Sequence, residues 1–112
     1  MNPIVEEKKQ TFKELEKEIF RLSCQADINV TRQILEQKDQ EIFAACDKAV
    51  YHSEGFRKTS IKTVYGTVEY RRRVYRTLTG EGKTAYVYLL DEALGMEKIG
   101  LISENLAEKI AD

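Results

Sequence analysis

The chain has 112 residues, of which 33% are charged and 42% hydrophobic, and its formal net charge is −1. These values fit one small globular domain and exclude wholesale disorder. The longest uninterrupted apolar run, at residues 85–90, is six residues long, far below the roughly 20 that a membrane span needs. The acidic N-terminus also lacks a secretory signal. We therefore expect a cytoplasmic protein with no membrane partner.

The near-neutral total conceals an uneven distribution of charge along the chain. Residues 55–83 contain eight basic and two acidic residues and so carry a net charge of +6. Residues 1–54 carry −3 and residues 84–112 carry −4. A short segment with this much positive charge is typical of a surface that attracts an anionic partner. We call residues 55–83 the basic hairpin, for the structure that their pattern predicts.

The first segment, residues 1–54, is predicted to be a helical arm. From Glu6 to about Tyr51 it contains neither Gly nor Pro and is rich in Glu, Lys, Gln and Leu, all strong helix formers. Residues 27–31 combine β-branched and cap-prone side chains, which form helix poorly. We therefore expect one long helix that is kinked, or two helices that meet, near residues 27–31.

Four apolar residues near the start of this arm recur at intervals of 3 and 4, as in a coiled coil. This apolar stripe consists of Phe12, Leu15, Ile19 and Leu22. A helix of this length would extend beyond a small sheet. Part of the stripe must therefore pack on a second copy, on a folded-back half of the helix or on protein that this chain lacks. Two interpretations remain open at this stage, an ordinary core or a homodimer contact.

Two strands are predicted in the basic hairpin, near residues 59–64 and 67–78. Both runs are rich in β-branched and aromatic residues, and they flank Gly66. A two-residue Tyr65-Gly66 loop would set Val64 opposite Thr67. A slip by one residue would instead oppose Lys62 and Arg71, a like-charge pair that sheets avoid. The first register is therefore the prediction.

Alternation along these strands predicts one apolar face and one charged face. The apolar face would contain Ile61, Thr63, Val68, Tyr70 and Val74, and the charged face Lys62, Glu69, Arg71 and Arg73. Arg72 and Arg76 fall on the apolar face. We expect their stems to follow the edge of the core while the guanidinium groups reach solvent.

A third strand near residues 85–90 would complete an antiparallel meander over residues 55–90. Residues 91–95 then predict a short helical turn closed by Gly95. Ser103 predicts the capped start of a further helix, which would stop after a few turns at the end of the sequence. Residues 91–112 thus resemble the start of a truncated C-terminal helix. The predicted fold class is α+β, with a long N-terminal helix, a small three-stranded antiparallel sheet and a short C-terminal helix.

Two motifs carry a resemblance to a known family. They are the run from Thr59 to Tyr75, with Gly66 and the Tyr70-Arg71-Arg72-Arg73 cluster, and residues 88–95 followed by Ile102-Ser103. Together they resemble the N-terminal region of the ISLre-type bacterial insertion-sequence transposases, a group long filed as an uncharacterised protein family. The resemblance implies DNA transposition in a mobile element, with metal-dependent strand cleavage and joining in a domain beyond residue 112.

No catalytic residue, metal ligand or cofactor is expected in this chain. Cys24, Cys46 and His52 lack the spacing of a structural zinc site. Asp91 and Glu92 are neighbours in a turn, whereas metal-dependent phosphoryl transfer uses acids that converge from separate elements. We expect this pair to cap the short helix instead.

The basic hairpin is expected to contact DNA phosphates without reading sequence. The candidate residues are Arg57, Lys58, Lys62, Arg71, Arg73 and, against a sugar or base, Tyr75. One alternative is that these arginines pair with acids of the helical arm, among them Glu14, Glu16, Glu18, Glu36 and Glu41. Another is a protein-interaction module without nucleic-acid binding, in which the helix oligomerises and the hairpin docks an acidic protein surface.

Overall fold

The structure, a computed structural model, describes residues 10–96. In chain order it contains α1 (Phe12–Ala45), β1 (His52–Thr63), β2 (Gly66–Leu78), β3 (Thr84–Val87) and α2 (Leu89–Leu94). The strands form one antiparallel sheet in the order β1-β2-β3. The predicted α+β architecture is therefore confirmed. The helix start expected at Ser103 lies outside the described residues.

Helix α1 is continuous over 34 residues. The Thr11 side chain caps its N-terminus by accepting from the Glu14 amide at 3.1 Å. The helix passes through residues 27–31 without a split. The Thr31 hydroxyl donates to the Asp27 carbonyl at 2.7 Å, so this poor helix former has its polar atom satisfied inside the helix.

The arm ends earlier than expected. α1 stops at Ala45, not near Tyr51, and β1 begins at His52, three residues before Gly55. Gly55, the first residue after the predicted helical arm and therefore its expected terminator, lies inside β1 with a φ of 98°. The strand pairing is irregular between Ser53 and Phe56, so the positive φ of this glycine serves a β-bulge.

The predicted hairpin register is wrong by two residues. Thr63 pairs with Gly66, and the loop is therefore Val64-Tyr65. Because the shift is even, every side chain stays on its predicted face, and Ile61 lies opposite Val68. Gly66 is favoured by its φ of 130°, a conformation that other residues rarely adopt, and a Cβ here would also lie 2.9 Å from Ile28 Cδ1.

This register also contains like-charge pairs, the kind of contact for which the sequence argument rejected the register that opposes Lys62 and Arg71. Lys58 lies opposite Arg71, and Arg57 lies opposite Arg72. Two of the four cations have local partners. Arg72 pairs with Asp91 of α2, and the Arg71 guanidinium lies 4.7 Å from the centre of the Phe56 ring. These two contacts therefore relieve part of the repulsion.

The core lies where α1 and α2 meet one face of the hairpin. Its buried members are Leu35, Ile61, Val68, Tyr70, Leu90 and Met96. Ile28, Ile42 and Tyr65 pack against them. α1 supplies one side of this core at helical spacing, and α2 supplies another through Leu90. The short helix ends as predicted at Gly95, which has a φ of 68°.

The free edge of β2 is covered by side chains of α1. β3 pairs only with residues 75–78 of β2, so residues 69–73 have no strand on that side among the described residues. Three side chains, which we call the edge clamp, take its place. Arg32 Nε donates to the Glu69 carbonyl at 2.8 Å, Glu36 accepts from the Arg71 amide at 2.9 Å, and Asp39 accepts from the Arg73 amide at 3.0 Å.

The clamp follows from two periodicities. Helix positions 32, 36 and 39 lie on one face of α1, whereas strand positions 69, 71 and 73 alternate along β2. Asp39 is only 2% exposed, and its second oxygen accepts from the Arg73 guanidinium at 2.9 Å. A carboxylate this deeply buried must be paired. The Asp39–Arg73 pair therefore fixes where α1 lies on the sheet.

Asp39→Ala is expected to destabilise the fold by about 3–5 kcal/mol, because it leaves the Arg73 guanidinium buried without its carboxylate. Glu36→Ala, which removes one exposed bond in the middle of the clamp, is expected to cost only about 1 kcal/mol. Urea denaturation followed by circular dichroism measures both. Equal losses from the two variants would contradict the role assigned to Asp39.

The core tyrosines predict a loss of stability at high pH. Burial, supported by the Asp91 carboxylate, raises the pKa of Tyr70 to about 12. Burial also raises the pKa of Tyr75 to about 12, with Asp39 and Cys46 as further causes. Below pH 10 both tyrosines are protonated in either state and the stability is full. Between about pH 10 and 12 the tyrosines ionise only in the unfolded chain. The free energy of unfolding therefore falls by about 1.4 kcal/mol per pH unit for each tyrosine.

Tyr75→Phe is expected to remove about half of that slope. It should not destabilise the protein at neutral pH, because among residues 10–96 the Tyr75 hydroxyl has no hydrogen-bond partner. Urea titrations at pH 8, 10 and 11 test both statements. An unchanged slope would show that Tyr75 does not contribute to it.

Candidate nucleic-acid interface

The eight basic residues of the basic hairpin divide into two groups. Four have a carboxylate within 4 Å, in the pairs Arg72–Asp91, Arg73–Asp39, Arg76–Glu54 and Lys83–Glu81. The other four, Arg57, Lys58, Lys62 and Arg71, have none among residues 10–96, and all four are exposed. The expectation that the hairpin arginines protrude describes Arg57 and Arg71. The alternative that they pair with acids of the helical arm describes only Arg73, whose partner Asp39 was not among the acids named.

Arg73 belongs to the paired group, although it was predicted as a DNA contact. Its side chain is 11% exposed. Besides the ion pair with Asp39, it donates to Gln40 Oε1 at 2.8 Å, and its guanidinium lies 4.2 Å from the centre of the Phe43 ring. In this conformation Arg73 secures α1 to β2 and is not available to a phosphate.

Tyr75 is also unavailable for its predicted role. Its side chain is 0% exposed and packs edge-on against the Tyr51 ring, with ring centres 6.2 Å apart. Tyr51 belongs to the segment that links α1 to β1. Because that segment turns back over β2, Tyr75 lies beneath it and cannot meet a sugar or base.

Arg72 and Arg76 differ in how far they follow the prediction. The Arg72 guanidinium does not reach solvent, since it pairs with Asp91 and lies 3.7 Å from the centre of the Tyr88 ring. The Arg76 guanidinium does reach out and meets Glu54 at 2.9 Å.

Asp91 was expected to cap α2. The helix instead starts two residues earlier, at Leu89, and has no side-chain cap bond, so Asp91 is left to bind Arg72.

The four unpaired cations lie around the outer strand. Alternation and pairing put Lys58, Lys62 and Arg71 on one face of the hairpin. Arg57 points to the other face, where it borders a depression with Val74 and Tyr86. Three of these residues belong to β1, which has no neighbouring strand on its far side within the part of the chain that the structure describes. Cations from both faces therefore flank one accessible edge of the sheet.

One basic residue that the sequence argument did not select joins this group. Arg32 of α1 borders a depression of about 220 Å³ together with Glu36, Lys58, Glu69, Tyr70 and Arg71. A signal for it existed, because Arg32 follows Ile28 by four residues and precedes Leu35 by three. A base at that spacing faces the sheet with the core residues.

Aromatic rings and cations alternate across the same face. The stack, which we call the cation–aromatic stack, runs Arg71, Phe56, Arg73, Phe43, Lys48, with cation-to-ring-centre distances of 4.7, 4.6, 4.2 and 4.8 Å. Such contacts hold guanidinium groups in place while leaving their charge intact. Phe56 is the exposed ring of this stack, at 43%.

The apolar stripe lies apart from the sheet. Its four side chains are 42 to 73% exposed, and no core residue comes from the first turns of α1. The ordinary-core interpretation of the stripe is therefore wrong for the described residues. The molecule is correspondingly elongated, with extents of 76 × 34 × 18 Å.

The described residues offer no group of three or more His, Cys, Asp or Glu side chains placed to hold a metal ion. Cys24 and Cys46 are free thiols. No helix among residues 10–96 has the length and apolar character needed to cross a bilayer.

The comparisons with known proteins give one match. No curated protein and no solved structure shows significant similarity to the chain. The sequence model of Uncharacterised protein family (UPF0236) matches residues 6–112, which is nearly the whole length. The chain therefore belongs to the uncharacterised protein family UPF0236.

Proposed function

We propose that this chain is a noncatalytic, N-terminal part of a bacterial insertion-sequence transposase and that it contacts the DNA backbone through its basic hairpin. The link to transposition is supported by the two motifs that resemble the ISLre-type transposases. DNA contact is supported by one observation above all, the four exposed cations without carboxylate partners among residues 10–96. The chain would act in the cytoplasm, where the element's DNA is.

The arrangement of these cations favours phosphate contacts. Lys58, Lys62 and Arg71 share one face, and Arg57 flanks the same edge from the other side. Among residues 10–96 none of the four forms an ion pair, although Glu36 and Glu69 border the same depression as Lys58 and Arg71. Phosphates can therefore replace the counterions that these cations hold in solution. Arg73 supports the site indirectly, because its ion pair with Asp39 holds α1 against β2.

The proposal is limited to backbone attraction. Recognition of base edges in a major groove usually requires a helix or a β-ribbon that enters the groove. α1 uses one face to cover β2, and α2 has only six residues. The hairpin is a β-ribbon, but one of its faces is packed against these helices. Since such electrostatic binding does not depend on sequence, we expect micromolar or weaker affinity at physiological salt.

Lys58→Ala with Lys62→Ala is expected to weaken binding to duplex DNA and to reduce its salt dependence. With four phosphate contacts, log K should fall with log salt by a slope of about 3.6, and the double variant should lower that slope to about 1.8. Fluorescence anisotropy with a labelled duplex at several salt concentrations measures both slopes.

Lys13→Ala with Lys17→Ala is the matched control. It removes the same charge from the exposed arm of α1 and should leave the slope unchanged. If both double variants lower the slope equally, the DNA is held by overall charge and not by the hairpin. Absence of salt-dependent binding by the unaltered chain would contradict the proposed function.

A second candidate function, self-association through the apolar stripe, is favoured by the exposure of all four of its side chains. Exposed apolar residues at 3 and 4 spacing on a continuous helix are what a partner helix covers. In this role the chain would dimerise through α1. The two functions are compatible, since the stripe and the exposed cations lie on different elements.

Leu15→Glu with Ile19→Glu is expected to convert such a dimer into a monomer without loss of folding, because neither residue belongs to the core. Sedimentation equilibrium over a range of protein concentrations gives the mass of both forms. A monomeric mass for the unaltered chain at the highest concentration would exclude this second function.

A further inference from the structure

We propose that the hairpin face carrying Phe56, Lys58, Lys62 and Arg71 is a binding site for single-stranded nucleic acid, on which a base stacks against the Phe56–Arg71 pair while the lysines hold the backbone. This inference rests on the proposed function and names the form of nucleic acid that the face binds. The chemistry it requires is an unpaired base with a free π-face next to phosphates.

The first observation is the exposure of Phe56. This large apolar ring is 43% exposed and is not part of the core cluster. It follows directly after the β-bulge at Gly55, and bulges commonly redirect a side chain. The chain thus presents an aromatic ring on the surface of the sheet at a position where folding does not require it to be buried.

The second observation is that the ring is held in place by its neighbours. The Arg73 guanidinium lies 4.6 Å from the ring centre and is itself fixed by Asp39 and Gln40. Arg71 lies 4.7 Å from the same ring centre, but its side chain is exposed. A fixed ring next to an exposed guanidinium loses little freedom when a base stacks on it.

The third observation is the order of residues along β1. Phe56, Lys58 and Lys62 alternate onto one face of the strand, which places the ring and the outermost lysine about 20 Å apart. Arg71 lies directly across from Lys58. Rings for stacking and cations along one track are the combination that single-strand binding surfaces use.

Single strands and duplexes would use this face differently. In a duplex the base faces are covered by neighbouring base pairs, so only the cations can make contact. In a single strand the bases are free to stack on Phe56 or on the Arg71 guanidinium. Stacking on one aromatic side chain is worth about 1–3 kcal/mol, so it would separate the two affinities measurably.

The absence of tryptophan from the sequence allows a direct test. Phe56→Trp places a single indole at the stacking position, and Phe20→Trp places one at an exposed position on the arm. Each variant of the 112-residue chain is titrated with a 20-nucleotide oligo(dT) and with a duplex of the same length. Circular dichroism verifies that both variants are folded.

We expect oligo(dT) to quench the fluorescence of Phe56→Trp strongly and that of Phe20→Trp hardly at all. We also expect Phe56→Leu to weaken single-strand binding by about five- to hundredfold and duplex binding by less than about twofold. Leucine keeps an apolar side chain of similar volume, so a change confined to the single strand reports stacking and not the fold.

Two results would overturn the inference. One is tight oligo(dT) binding without quenching at position 56, and the other is an equal effect of Phe56→Leu on both forms. Either result, together with salt-dependent duplex binding, would leave the proposed function intact. Failure of the unaltered chain to bind either form at low salt would remove the proposed function and this inference together.

Discussion

The structure depends on how the free edge of β2 is satisfied. Backbone groups at residues 69, 71 and 73 face a side of the strand that β3 does not reach. Three side chains of α1 form hydrogen bonds with them, from Arg32, Glu36 and Asp39. Unpaired backbone groups next to a core are costly. Side chains of a helix here take over the role of a neighbouring strand, and they set the position of α1 along the sheet.

The same contact divides the charge of the basic hairpin. Asp39 uses one oxygen for the Arg73 amide and the other for its guanidinium, so Arg73 becomes part of the scaffold. Glu36 binds only the backbone amide of Arg71, which leaves that guanidinium exposed beside Phe56. The two arginines lie on the same face of β2 but have different roles, because the acid of α1 next to each one makes different contacts.

The periodic features of the sequence sufficed to predict the order and type of the elements. Three features of the sequence specify local structure: the helix formers of the arm, the alternation around Gly66 and the closing Gly95. The long helix, the hairpin and the short helix that they predict are all present. The bounds were less predictable. Gly55 serves equally well as a helix terminator or as a bulge residue, and only the pairing of β1 with β2 decides between them. The predicted register put Gly66 in the loop, whereas the structure pairs Gly66 with Thr63, and alternation alone is the same in both registers.

The candidate site was predictable in part. A cluster of cations on one hairpin face follows from alternation, and Lys58, Lys62 and Arg71 are exposed as expected. Tyr75 alternates in phase with Arg71 and Arg73, so nothing in the strand pattern indicates that the segment containing Tyr51 covers it. Arg32 was missed because its place beside Lys58 and Arg71 arises from the packing of α1 along β2.

Hydrogen exchange at the Arg71 and Arg73 amides, followed residue by residue by NMR, tests the central claim most directly, because these two amides are bonded to α1 and not to a strand. The account predicts that both exchange much more slowly than the β1 amides that face away from β2, with Arg73 the slower of the two. Exchange of the Arg73 amide as fast as that of the free β1 edge would contradict it.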